Sequence, residues 1–318
     1  MTAEVDHWAE RVRAGDVRAI SRAITAVENG APEAEPLLRA LFPHTGSAHL
    51  AGVTGAPGTG KSTLVDRLAS FYRRQNESVG IIAVDPSSPF TGGAILGDRI
   101  RMQGHATDAG IFIRSMATRG FLGGLARTTG DAALILEAAG MQRLLIETVG
   151  VGQDEVDIMR LADCTLVVLV PGLGDEVQAI KAGIMEIADI FVLNKSDREG
   201  TDRFEQQLKA MLSLSPDREG WRPPVLRTVA TESKGIAELA EAMDAFRDHL
   251  ERTGQRQARK IANWKQRLLD LLEARLIDQI ITRGVGERGL ESLAAEIAAR
   301  KKDPYAVVSD LLARAGIR

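Results

Sequence analysis

Cysteine is almost absent from this chain of 318 residues, which contains only Cys164. A single cysteine cannot form a disulfide within the chain, and this usage suits a cytoplasmic protein. Because Cys164 begins the apolar run 164–170, we predict a buried apolar residue and not a redox or metal-binding thiol. The five histidines are scattered and form no HxH pair, so the close imidazole or thiolate pairs typical of a zinc or nickel carrier are missing.

Long apolar runs and an excess of one charge are also lacking. No run approaches the roughly 20 apolar residues that span a bilayer, and the acidic residues 1–7 show no secretory signal core. Lys and Arg number 40 against 43 Asp and Glu, so the charge does not favour nucleic acid or a membrane as a partner. With 44% hydrophobic residues, a chain of this length can bury one large core with smaller extensions.

The chain does contain a glycine-rich segment with the spacing GxxxxGK[ST]: Gly55, Ala56, Pro57, Gly58, Thr59, Gly60, Lys61 and Ser62. It lies between a short apolar strand pattern, 50–54, and a helical pattern, 62–71. Glycines let a loop turn its amides toward phosphate at a helix N-terminus. We predict that Lys61 reaches the β/γ-phosphates, that the Ser62 hydroxyl binds Mg²⁺, and that Thr63 completes the phosphate site. The alternative is a glycine-rich turn that binds nothing.

A second motif, Asn194-Lys195-Ser196-Asp197, follows the apolar run 188–193 and fits NKxD. Loops at the carboxyl ends of parallel strands are where α/β folds bind ligands. The Asp197 carboxylate can accept hydrogen bonds from guanine N1–H and the 2-amino group, which adenine does not offer. Ala230, after the strand pattern 225–229, is a further candidate nucleotide contact. The two motifs together predict GTP, although NKxD by itself also fits an ordinary surface turn.

Carboxylates that could hold the metal follow other strand patterns. Glu147 ends one apolar run where a Walker-B acid belongs, and the Gly150 amide could contact the γ-phosphate. Asp85 ends another run, and Asp98 lies in a Gly/Ser/Pro-rich stretch suited to a switch loop. An Asp at a strand end is also a common helix cap or turn former. The predicted metal ligands are Ser62, Asp85, Asp98 and Glu147, and the predicted catalytic residues are Lys61, Asp85, Glu147 and Gln153, the last as a water-orienting group.

Strand and helix patterns alternate through the middle of the chain, which predicts a doubly wound, mostly parallel sheet. Residues 3–43 have helical apolar spacing, and beyond 256 only helical patterns occur, among them an apolar stripe over 261–280. We therefore predict an α/β fold with an N-terminal helical extension at 1–45, a P-loop G domain at 46–253 and a C-terminal helical arm at 254–318. The stripe is more apolar than a lone projecting helix should be, so it packs either against the G domain or against a second copy.

With these segments assembled, the chain resembles the methylmalonyl-CoA mutase-associated GTPases. These are SIMIBI-class P-loop proteins that act as chaperones of adenosylcobalamin-dependent acyl-CoA mutases. The resemblance covers about residues 8–312, and the segments that carry it are 55–63, 84–89, 97–102, 112–115, 119–120, 147–153, 171–181 and 194–197. Asp154 stands where the family pattern has Ser, a difference within the switch segment.

The resemblance implies a homodimer formed through the C-terminal arm. It also implies that GTP binding and hydrolysis to GDP and phosphate gate cofactor loading and protect the mutase from inactivation. An additional switch would consist of Asp175, Glu176, Gln178 and Lys181, which follow the flexible Gly172-Leu173-Gly174 and otherwise fit a solvated helix face.

Three other functions stay open at this point. A GTP-dependent metallochaperone is disfavoured by the missing His/Cys pairs. An ATP-using, transport-associated kinase is disfavoured by Asp197, which does not match adenine. A signalling switch with an unrelated partner would have the same nucleotide motifs.

Overall fold

The computed structural model describes residues 2–85, 105, 108–117, 124–148, 159–172, 185–214 and 220–316. Residues 1–260 and 261–318 group as two compact units. The predicted domain boundaries at 45/46 and 253/254 stay predictions, because a grouping by contacts does not define where a domain folds independently.

A parallel sheet of seven strands forms the centre of the first unit within the described residues. The strands are β1 (His49–Thr54), β2 (Val79–Asp85), β3 (Ile111–Ala117), β4 (Arg143–Thr148), β5 (Cys164–Leu169), β6 (Ile190–Leu193) and β7 (Val225–Arg227). Their order is β3-β2-β4-β1-β5-β6-β7, and every pair is parallel. The predicted doubly wound α/β fold is confirmed.

Helices flank and follow the sheet. They are α1 (Thr2–Arg13), α2 (Val17–Glu28), α3 (Ala34–Leu41), α4 (Lys61–Arg74), α5 (Gly124–Ala138), α6 (Thr201–Ser213), α7 (Ile236–Arg252), α8 (Gln255–Gly284), α9 (Gly286–Ala298) and α10 (Pro304–Arg314). Asp16 caps α2 and Asp303 caps α10, each accepting two backbone N–H bonds with one carboxylate. The helical extension and the helical C-terminal segment are therefore present as predicted.

The two faces of the sheet bury different clusters because successive strand residues point to opposite sides. On β4, Leu145 packs with α4 and α7, whereas Leu144 and Ile146 pack with α1–α3 and α5. The N-terminal helices are also joined to the sheet edge by Arg114 of β3, which pairs with the buried Glu28 of α2 and donates to the Thr25 hydroxyl. The first unit thus has one layer of helices on each face of its sheet.

Cys164 is completely buried in β5, as predicted, and burial raises the pKa of its thiol well above its usual value. In the second unit, large apolar side chains on α8–α10 are exposed, namely Ile261, Trp264, Leu268, Leu269, Leu271, Leu272, Leu276, Leu290, Tyr305 and Val308. In the part of the chain that the structure describes, no helix combines the length and apolar character that a membrane span requires.

Candidate nucleotide-binding site

The phosphate loop connects β1 to α4, and two of its glycines are required by close contacts. Gly55 has φ 146°, and a Cβ there would lie 2.3 Å from the carbonyl oxygen of Val168. Gly60 has φ 92°, and a Cβ there would lie 2.5 Å from Nδ2 of Asn194. Left-handed backbone and close neighbours together favour glycine at both positions. The loop can therefore turn tightly between the sheet and the first turn of α4.

Lys61, the first residue of α4, folds its side chain back over this loop. Its Nζ donates to the carbonyl oxygen of Gly55 at 2.7 Å and to that of Ala56 at 3.0 Å, and the residue is 6% exposed. A buried ammonium needs such acceptors, since an unpaired buried charge is costly. The cation is thereby fixed beside the loop that the sequence predicts to surround phosphate.

Ser62 and Glu147 meet at the carboxyl edge of the sheet. The Ser62 hydroxyl donates to Oε1 of Glu147 at 2.5 Å, and Glu147 is 3% exposed. They meet because β4 pairs with β1, the strand that leads into the loop. Hydroxyl and carboxylate oxygens are hard donors that suit Mg²⁺, which usually completes its shell with phosphate and water. This pair of oxygens fits the predicted metal site.

Asp85 ends β2, which pairs with β4 on the other side, so its backbone lies along the same edge of the sheet. Its side chain is outside what the structure describes. In the described residues, no cluster of three or more His, Cys, Asp or Glu side chains is arranged to hold a metal. The predicted residues Asp98, Gly150, Gln153, Asp175, Glu176, Gln178 and Lys181 also lie outside the described residues, and their roles stay predictions.

The NKxD segment binds directly to the phosphate loop. Nδ2 of the buried Asn194 donates to the Thr59 carbonyl oxygen at 2.8 Å, and Nζ of Lys195 donates to the Gly58 carbonyl oxygen at 2.7 Å. Lys195 adopts φ 54°, a conformation that few non-glycine residues take. The two motifs, far apart in sequence, thus form one connected site.

Asn194 also holds the third predicted segment. Its Oδ1 accepts from the Thr228 hydroxyl at 3.1 Å and from the backbone N–H of Ala230 at 3.2 Å. Asp197 is exposed on the same loop as Asn194. The sequence argument included Ala230 but missed Thr228, because no motif marks a hydroxyl whose partner lies on another strand. Asn194 therefore joins the phosphate loop to the Ala230 segment.

Charged side chains surround the exposed part of this region. Lys234, four residues after Ala230, has a raised pKa, because the Glu232 carboxylate hydrogen-bonds to it and the negative charge of Asp197 adds to the effect. The carboxylate of Asp197 is thus within electrostatic reach of an ammonium on the neighbouring loop.

A parallel α/β sheet whose first strand enters a GxxxxGKS loop, held by an NKxD segment, defines a P-loop protein with a GTPase-like fold. Residues 20–284 match the family model described as methylmalonyl Co-A mutase-associated GTPase MeaB. The chain belongs to this family, which confirms the resemblance seen in its motifs.

Relatives agree with this assignment. A protein of Pyrococcus abyssi named as a GTPase is 49% identical over 314 residues, which cover 97% of this chain and 96% of the relative. The mouse protein named methylmalonic aciduria type A homolog, mitochondrial, is 36% identical over 235 residues, or 73% of this chain and 57% of that protein. A crystal structure described as LAO/AO transport system kinase has a TM-score of 0.73 at 27% identity, covering 97% of this chain and 96% of its own.

Proposed function

We propose that this protein is a Mg²⁺-dependent GTPase that acts as a chaperone for an adenosylcobalamin-dependent acyl-CoA mutase of the methylmalonyl-CoA type. The observation that carries the nucleotide part is the bonding of Asn194 to both Thr59 and Ala230, which joins the phosphate loop to the segments expected to read the base. Membership of the MeaB family supports the mutase as partner. In this role GTP hydrolysis gates cofactor loading and protects the mutase from inactivation.

The residues divide the work between base and phosphates. Asp197 accepts the guanine N1–H and 2-amino hydrogens, while the amides of residues 55–63 and the Lys61 ammonium surround the phosphates. Ser62 and Glu147 would hold Mg²⁺, with Asp85 and Asp98 as further ligands, and the bound ion neutralises phosphate charge. Gln153 orients the attacking water, and the Gly150 amide contacts the γ-phosphate. The transition state is then stabilised mainly by fixed charges and donors.

The direct experiment is steady-state turnover of GTP and ATP with and without Mg²⁺. Lys61→Ala should lower GTP turnover by roughly a hundredfold, because removing one preorganised donor commonly costs that much. Lys209→Ala, at an exposed lysine on α6, is the matched control and should behave like the unmodified protein. Equal turnover by the Lys61 and Lys209 variants would contradict the assignment.

We also propose that Asp175, Glu176, Gln178 and Lys181 transmit partner contact to the nucleotide. Intrinsic hydrolysis is then slow, and the mutase stimulates it, as partners that complete a GTPase site do by roughly 10³–10⁵. Lys181→Ala should keep the intrinsic rate and reduce the stimulation. Equal stimulation of both proteins removes this segment from the coupling, whereas no stimulation of the unmodified protein argues against the chaperone role.

The exposed apolar side chains of α8–α10 support a homodimer formed through the C-terminal arm. The buried, free Cys164 fits a cytoplasmic location. Nucleic acid and membranes are not part of this proposal. The neighbour described as a kinase raises ATP as an alternative substrate, and the nucleotide preference in the turnover experiment decides between the two.

A further inference from the structure

Two buried threonine hydroxyls connect the strand that enters the phosphate loop to the strand that ends in Glu147. Oγ1 of Thr148 donates to Oγ1 of Thr54 at 3.2 Å. Thr54 is 1% exposed and Thr148 is completely buried. Thr54 is the last residue of β1, directly before Gly55, and Thr148 is the last residue of β4, directly after Glu147. The contact therefore lies between the phosphate loop and the carboxylate.

The position of this contact in the sheet lets it hold the ends of β1 and β4 together. The register between β1 and β4 runs from His49–Arg143 to Val53–Glu147, so the hydroxyl pair links the strands one residue further on. Glu147 shares the face of Leu145, which packs with α4, whereas Thr148 shares the face of Ile146, which packs with α5. The hydroxyl pair thus joins the ends of β1 and β4 on the α5 face of the sheet, whereas Ser62 lies on the α4 face.

The distance between the ends of β1 and β4 affects the predicted metal ligands more than the phosphate loop. Glu147 reaches Ser62 at 2.5 Å across the same two strands, and Mg²⁺ requires near-ideal octahedral geometry at about 2.0–2.1 Å. Outward movement of β4 would shift the Glu147 carboxylate relative to Ser62. Asn194 would still donate to the Thr59 carbonyl oxygen of the phosphate loop, because Asn194 follows β6, which lies on the side of β1 away from β4.

We propose that Thr54 and Thr148 are positioning residues that fix the distance between the phosphate loop and Glu147, and that they thereby set the Mg²⁺ affinity of the nucleotide complex. This inference rests on the proposed function for the nucleotide and for the metal. The threonines act through Glu147 and Ser62 and do not touch the nucleotide themselves.

The test measures GDP binding by calorimetry at a series of Mg²⁺ concentrations. The affinity for GDP without Mg²⁺ is measured separately. Thr148→Val keeps the shape and removes the hydroxyl, whereas Thr148→Ser keeps the hydroxyl. We expect Thr148→Val to raise the half-effective Mg²⁺ concentration roughly fivefold, because the loss of one hydrogen bond commonly changes an equilibrium constant by about that factor. The affinity for GDP without Mg²⁺ should stay unchanged. Thr148→Ser should restore the unmodified value.

Thr165→Val is the matched control, since Thr165 is a buried threonine near the amino end of β5 in the same sheet. It should leave the Mg²⁺ titration unchanged and report the general cost of a buried Thr-to-Val change by thermal unfolding. Thr54→Val provides a second variant if Thr148→Val does not fold.

The outcomes separate this inference from the function on which it rests. If unmodified protein binds GDP with no dependence on Mg²⁺, both the metal site and the positioning role are wrong. If the unmodified protein depends on Mg²⁺ but the Thr148 and Thr165 variants titrate alike, only the positioning role is wrong. Failure of Thr148→Ser to restore the Mg²⁺ response would also overturn it.

Discussion

Asp197 is an exposed carboxylate on the loop that Asn194 and Lys195 bind to the phosphate segment. Asp197→Asn replaces an acceptor by an amide that also donates, so GTP affinity should fall by about 100-fold and xanthosine triphosphate should bind better. Calorimetry with both nucleotides measures this change. Asp248→Asn, at an exposed acid on α7, is the control. Equal ATP and GTP affinity in the unmodified protein would contradict the guanine assignment.

His49, at the start of β1, is 5% exposed, and neither ring nitrogen has a hydrogen-bond partner among the residues that the structure describes. Burial lowers the pKa of His49 to about 4; Asp163 and Asp244 oppose this shift, and Arg143 and Arg247 add to it. The unfolded chain, with a usual pKa near 6.5, therefore takes up this proton first as the pH falls. Stability contributed by neutral His49 is complete above about pH 6.5 and is lost between about pH 6.5 and 4.

This loss should amount to about 3 kcal/mol of unfolding free energy between pH 7 and pH 4. His49→Gln removes the titrating group, so its unfolding free energy should fall less steeply with acid than that of the unmodified protein. Denaturant unfolding at a series of pH values measures the difference in slope, and His44→Gln, at an exposed histidine, should not alter it. Identical slopes for the His49 variant and the unmodified protein would show that His49 does not control this window.

At the scale of elements, the glycines of the phosphate loop differ in how much room each leaves for a side chain. Gly58 and Gly60 both have positive φ, 80° and 92°, but a Cβ at Gly58 meets nothing within 4 Å, whereas one at Gly60 meets Asn194 at 2.5 Å. Gly60→Ala should therefore weaken GTP binding roughly tenfold more than Gly58→Ala, because it adds displacement of Asn194 to a similar backbone strain. Equal affinities of the two variants would show that the Asn194 contact does not hold the loop.

The predicted strands match the observed ones at their centres and differ at their ends. The apolar run 188–193 predicts a strand from residue 188, yet β6 begins at Ile190. Asp189, just before β6, instead accepts a bond from the Thr165 backbone N–H through its side chain and pairs with Arg259. The run 225–229 predicts a strand two residues longer than β7, which ends at Arg227. Val229 instead pairs with Lys234 in an isolated antiparallel bridge. Strand ends depend on such distant partners, which periodicity does not register.

At the scale of the whole molecule, the apolar stripe of α8 predicts association of two copies. Leu268 and Leu272 are 58% and 57% exposed, and a carboxylate at either position would be buried without a partner in a dimer. Leu268→Asp with Leu272→Asp should raise the dimer dissociation constant at least about 100-fold, as loss of a central apolar cluster does. Light scattering over a concentration series measures it.

Leu214→Asp is the control for this change, since Leu214 is an exposed leucine at the end of α6 and not on the arm. It should leave the dimer intact. The arm variants and Leu214→Asp should all bind GDP without Mg²⁺ as the unmodified protein does, which shows that the G domain is still folded. A concentration-independent monomer for the unmodified protein rules out the homodimer.

The sequence alone determined the features that depend on neighbouring residues: the alternation of strands and helices, the phosphate loop and the position of the NKxD segment at the end of a strand. These signals are local, since periodicity, turn glycines and caps act within a few residues. Tertiary structure decided which of the distant groups meet. Asn194 binds Thr59 across 135 residues, Ser62 binds Glu147 across 85, and Thr148 binds Thr54 across 94. Those contacts follow from the strand order, in which β4 and β5 flank β1, and strand order is set by burial of the whole core, which no short segment encodes.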